Sequence, residues 1–127
     1  MTAQNVTPMI HVPDIRAAVE WYGAIGFSLL DTAEEDGRMT WASMAFGAGR
    51  MMFNIEGRPS DQWRREVDLY VETSEIDALY EKLKDRVDVV EAPHDTFYGM
   101  REFIIRDLNR FWITFGEPAA SSGGRGD

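Results

Sequence analysis

DIRAAVEWY, running from Asp14 to Tyr22, returns later in the chain as EIDALYEKL, running from Glu75 to Leu83. Ile15 then corresponds to Ile76, Ala17 to Ala78 and Glu20 to Glu81. In each copy an extended apolar segment precedes the repeat: IHV at Ile10 to Val12, and DLYV at Asp68 to Val71. Each copy therefore reads as a strand-helix unit followed by further strands. Duplicated units of this kind cannot bury a full hydrophobic face alone, so they are expected to pair their sheets and leave a crevice, and function is expected there.

Working outward, the spacing predicts a strand over Met9 to Val12 that stops at Pro13, a helix capped by Asp14, and an apolar stripe at Ile15, Ala18, Val19 and Tyr22 that ends at Gly26. Strands follow at Phe27 to Leu30, Met39 to Phe46 and Met51 to Ile55, separated by the turn signals EEDGR and GAGR. A polar stretch from Gly57 to Arg65 joins the halves. The second half repeats the order. A strand is expected over Glu66 to Val71 and a helix capped by Ser74 with its stripe at Ile76, Leu79, Tyr80 and Leu83. Three strands are then expected near Val87 to Val90, Met100 to Arg106 and Phe111 to Phe115. SSGGRGD has nothing to bury and is expected to be disordered.

Composition narrows the function classes. The 127 residues are 44% hydrophobic, enough for one core, so a single domain of two similar halves is expected. There is no cysteine, which excludes disulfides, thiolate catalysis and cysteine-ligated metal. MTAQNVTPMI has neither a basic start nor a continuous apolar run, so a cytoplasmic, non-membrane protein is expected, and the acceptor pattern Asn5-Val6-Thr7 is chance. A formal charge of −9 disfavours a nucleic-acid partner and fits a cationic or neutral ligand. No GxSxG, HExxH or phosphate-binding loop is present, so covalent chemistry and a bound cofactor are not expected.

PMIHVPDIRAAVEWYGAIGF, YVETSEIDALYEKL and PHDTFYGMREFIIRDLNRFWITFGEP together resemble the vicinal oxygen chelate superfamily, in its glyoxalase and bleomycin-resistance branch, over Thr7 to Pro118. One departure is visible: where the family usually writes Asp-Pro-x-Gly before its last strand, this chain has Asp107, Leu108, Asn109 and Arg110, so Asn109 is expected to take any left-handed conformation the turn needs. The resemblance implies an α+β fold of paired βαβββ modules, here about 7–56 and 65–117 with a tail over 119–127, and a concave mixed sheet around a pocket. It also implies a homodimer and, often, a divalent metal. The positions matching the family's three metal ligands hold Thr7, Glu66 and Thr114, one carboxylate and two hydroxyls. That set is too weak for zinc, nickel or iron, so a metal-free member is expected, although a register slip of one or two residues would bring His11 into play.

Alternation along the first strand puts Thr7, Met9 and His11 on the pocket side and Pro8, Ile10 and Val12 against the helix. On the matching strand of the second half it puts Glu66, Asp68, Tyr70 and Glu72 on the pocket side, with Val67, Leu69 and Val71 in the core. Trp41, Met52, Asn54, Phe97, Tyr98, Met100, Glu102, Trp112 and Thr114 complete the candidate lining, while His94 is placed in the loop APHDTF. Two classes follow: a protein that sequesters a cationic or aromatic small molecule without metal, or a metal-dependent lyase, isomerase or dioxygenase of the same superfamily.

Overall fold

The computed structural model describes residues 3–120. Its elements run β1 (Met9–His11), α1 (Ile15–Ala24), β2 (Ser28–Glu35), β3 (Arg38–Phe46), β4 (Gly49–Asn54), β5 (Asp68–Glu72), α2 (Ile76–Leu83), β6 (Asp88–Asp95), β7 (Met100–Arg106) and β8 (Trp112–Pro118). The βαβββ order thus occurs twice, as the repeated helix sequence implies. The chain divides into two compact units, with the boundary between Ser60 and Asp61. Residues 121–127, most of the expected tail, lie outside the described residues, and Ala119 just before them still donates to the Gly99 carbonyl at 2.9 Å. Among the described residues no helix is long and apolar enough to cross a membrane.

In the first unit the sheet order is β1-β4-β3-β2, with β1 parallel to β4 and the other pairs antiparallel. The Asp14 carboxylate accepts from the Ala17 N–H at 3.1 Å, satisfying a donor that a helix start would otherwise leave open. At the other end Gly26 adopts φ 116°, a conformation that releases the chain from the helix without a Cβ penalty. The helix buries Ile15, Ala18 and Tyr22, and Tyr22 packs on Phe53 with ring centres 5.1 Å apart. Ile10, Ala42, Met44, Met51 and Phe53 supply the sheet side of that core. Each fully buried side chain of this size contributes about 1.5–3 kcal/mol.

The second unit has the order β5-β8-β7-β6, again with one parallel pair, β5 with β8. Ile76 and Leu83 of α2 are buried, Tyr80 meets Phe103 at 5.4 Å, and Phe103 stacks on Phe115 at 4.8 Å. Three expectations are corrected here. Ser74 does not cap α2. The cap residue is Glu75, at φ 60° with no side-chain bond of its own, and the Glu117 carboxylate from β8 accepts from the N–H groups of Glu75 at 2.8 Å and Ile76 at 3.3 Å instead. Asn109 does not take the left-handed position; Arg110 does, at φ 74°, because Asp107 Oδ1 accepts from the N–H groups of both Asn109 (2.7 Å) and Phe111 (2.9 Å) and fixes the turn around it. His94 is not in a loop: β6 runs on past Val90, and His94 pairs with Glu102 of β7. Pro93 is tolerated there because β6 is an edge strand and the pairing is irregular between Glu91 and His94.

Candidate functional site

Each sheet has one face on its helix and one turned away, and strand register decides which side chains share the second face. In the first sheet, His11 pairs with Asn54 and Asn54 with Trp41, while Met9 pairs with Met52 and Met52 with Ser43. His11, Trp41, Met52 and Asn54 therefore share the face away from α1. Thr7 precedes β1 and pairs with no strand. The His11 ring nitrogen Nδ1 lies 2.8 Å from the Ile55 carbonyl. A carbonyl only accepts, so Nδ1 carries the proton in the neutral ring and Nε2 presents its lone pair. The segment after β4 passes so close to this strand that a Cβ at Gly57 would overlap the His11 carbonyl.

In the second sheet, Asp68 pairs with Trp112, Tyr70 with Thr114, and Glu72 with Gly116, which in turn pairs with Glu102. Asp68, Tyr70, Glu102, Trp112 and Thr114 all share the face away from α2. Glu66 and Val67 precede β5, and both are exposed, so Val67 is not in the core as the alternation implied. Phe97 is fully exposed in the β6–β7 loop, and Met100 opens β7 half-buried.

Two clusters stand on this face. In the first, Glu102 is only 3% exposed, yet it carries a carboxylate. Its two oxygens accept from the hydroxyls of Tyr70 and Tyr98, each at 2.8 Å. The two phenols are 49% and 57% exposed, so they roof the carboxylate and face outward themselves. Burial, the bond to Glu102 and the negative charge of Glu102 push the Tyr70 hydroxyl up to about 12. The bond to Glu102, with burial and the same charge, raises Tyr98.

In the second cluster, Arg64 pairs with Asp68 and stacks on the Trp112 ring, its guanidinium carbon 4.2 Å from the ring centre. The Trp112 indole donates to the Trp63 carbonyl at 3.1 Å. Trp63 meets Trp112 edge-on at 6.1 Å and carries Arg106 on its own ring at 4.4 Å, and Arg106 is in turn paired with Asp88 at 2.7 Å. Carboxylate, guanidinium, indole, indole, guanidinium and carboxylate thus follow one another across the face. Sequence reasoning missed Arg64, Trp63, Arg106 and Gly116. An isolated glycine within a strand signals close approach and could have pointed to Gly116, but nothing in the sequence pairs Arg64 with an indole 48 positions on.

The residues do not fit the family's metal. Among the described residues no three His, Asp or Glu side chains gather as ligands, and the matching positions carry two hydroxyls and one exposed carboxylate. A cleft of about 470 Å³ borders the start of α1, lined by Pro13, Asp14, Arg16, Glu20, Arg38 and Met39 among others; none of the candidate residues lines it.

The family model described as Glyoxalase/Bleomycin resistance protein/Dioxygenase superfamily matches residues 6–115. No curated protein sequence matches. Among solved structures, TioX from Micromonospora sp. ML1 is similar with a TM-score of 0.75 and 22% identity, over 91% of this chain and 99% of that one. A glyoxalase/bleomycin resistance protein/dioxygenase from Nocardioides has a TM-score of 0.74 and 18% identity, over 98% and 89% of the two chains. A bleomycin-binding protein solved in complex with bleomycin has a TM-score of 0.68 and 13% identity, over 91% and 98%. At these identities the likeness carries the fold.

Proposed function

Since the chain belongs to the glyoxalase/bleomycin resistance protein/dioxygenase superfamily, we propose that it binds a small cationic or aromatic molecule and sequesters it without metal or covalent chemistry. The observation that supports this most directly is Arg64, whose guanidinium is held at once by the Asp68 carboxylate and the Trp112 ring. A planar cation supplied by the chain itself already occupies the carboxylate-and-indole arrangement that a cationic ligand would need. Aromatic faces add about 0.5–2 kcal/mol to such contacts, and carboxylates in a partly desolvated setting add more than they would in water. The bleomycin-binding protein of similar fold is in keeping with a ligand of this kind.

Calorimetry with metal-free bleomycin as probe tests the reading. Asp68→Asn is expected to weaken binding, with the loss persisting at about 0.15 M salt, where charges more than about 8 Å apart are screened. Equal affinity in wild type and variant, or tighter binding of an anionic analogue, would remove it. The same reading takes the protein to be a homodimer, the commonest arrangement for small domains. A concentration-independent monomer in sedimentation would remove that element.

A further inference from the structure

We infer that Tyr70 and Tyr98, fixed side by side on the Glu102 carboxylate, form a subsite that accepts hydrogen bonds from a ligand's ammonium or amidinium N–H group. The inference deepens the sequestration reading and rests on it for the ligand's cationic character.

The argument starts from Glu102. A carboxylate 3% exposed on a sheet face is costly unless its oxygens are satisfied, and here each oxygen receives one phenol proton at 2.8 Å. A phenol has a single proton, so neither Tyr70 nor Tyr98 can donate to anything else; each oxygen keeps acceptor capacity, which at Tyr98 is shared with the Thr96 hydroxyl. Donation to a carboxylate also polarises the phenol oxygen and strengthens it as an acceptor. The carboxylate is buried but its two partners are not: as residues Tyr70 and Tyr98 are about half exposed, so part of each meets solvent.

The two positions are also pre-set. Tyr70 lies over Gly116, where the missing side chain leaves it room. Tyr98 sits in a turn closed by Thr96, whose N–H and hydroxyl both donate to the Met100 carbonyl, at 2.7 and 3.0 Å, while its hydroxyl accepts from the Met100 N–H at 3.0 Å. Glu72 pairs with Gly116 in the same row and adds a second negative group. Anions and ligands that only accept hydrogen bonds find no donor among these groups; N–H cations find two acceptors above a carboxylate.

The test compares two probes of equal charge, benzylammonium, which has N–H donors, and benzyltrimethylammonium, which has none. Chemical-shift titrations of wild type are expected to favour benzylammonium by about tenfold, the worth of one hydrogen bond to a charged donor. In Tyr70→Phe/Tyr98→Phe the two affinities should converge, through loss of benzylammonium binding alone. Should that variant fail to fold, Tyr98→Phe, at an exposed loop position, is expected to lose part of the preference. Equal affinities in wild type, or a preference that survives both substitutions, would overturn the subsite. Metal-free bleomycin run alongside separates the two readings. Bleomycin binding with no amine preference overturns the subsite and leaves sequestration standing, whereas an amine preference without bleomycin binding supports the subsite and removes a bleomycin-type ligand.

Discussion

Tyr70 occupies the space that a side chain at position 116 would fill: a Cβ added to Gly116 would overlap the Tyr70 hydroxyl. The glycine is therefore a condition for the Tyr70–Glu102 bond. Gly116→Ala is expected to displace Tyr70, leave one oxygen of the buried carboxylate unsatisfied, and destabilise the fold by about 1–3 kcal/mol. Urea denaturation measures the loss, and Tyr70→Phe/Gly116→Ala provides the control. If Gly116→Ala costs less than a few tenths of a kcal/mol, Tyr70 has another resting place.

Tyr70 also sets a pH dependence. Its hydroxyl titrates at about 12 in the fold against 10.0 for the unperturbed group. Below about pH 10 both folded and unfolded chains keep this proton, and the contribution to stability is fully present. As pH rises from there towards 12, the unfolded chain releases the proton first, so stability falls. Denaturation midpoints followed from about pH 9 to 12 should decline more steeply in wild type than in Tyr70→Phe. Parallel profiles would show that Tyr70 titrates alike in both states.

Arg64 and an incoming cation compete for one carboxylate and one ring. Arg64→Ala is accordingly expected to tighten binding of metal-free bleomycin severalfold and to change the fluorescence of Trp112, which loses its guanidinium neighbour. Weaker binding in the variant would mean that Arg64 belongs to the ligand's contacts instead.

Donor chemistry at Thr7, Glu66 and Thr114 predicts no stoichiometric zinc, nickel, manganese or iron. Elemental analysis of protein purified without chelator is the check, and one equivalent per chain would restore the metal-dependent lyase, isomerase or dioxygenase as the function.

The fold was legible because the helix repeat and strand alternation are local signals. The same period-two rule put His11, Asp68 and Tyr70 on the faces turned away from the helices, where strand register also sets Trp41, Met52, Asn54, Glu102, Trp112 and Thr114. It failed at Glu66 and Val67 because β5 begins only at Asp68, and alternation carries no information beyond a strand's end. It could not reach the partners of these residues. That Glu102 would hold two phenols, or that Arg64 would fill the place in front of Trp112, depends on a strand, β5, and on loops brought in from elsewhere in the sequence. Ser74 and Asn109 were misjudged for a related reason: residue preferences at caps and turns gave way to carboxylates, Glu117 and Asp107, that already satisfied the backbone.

The Glu117 cap has a consequence for the order in which the chain acquires structure. Its carboxylate reaches the start of α2 from 42 residues further on, so during synthesis the helix emerges well before the group that completes it. A helix of eight residues is marginal by itself. Until β8 is in place α2 has its contacts with β6 and β7, among them the Asp77–Arg101 ion pair at 2.8 Å, but not its cap. Glu117→Gln should retain part of the cap, whereas Glu117→Ala should cost about 1 kcal/mol and speed the early opening of α2 to hydrogen exchange. In this unit the last strand to be made finishes the helix begun near the start, so a nascent second unit stays unlocked until β8 has been made.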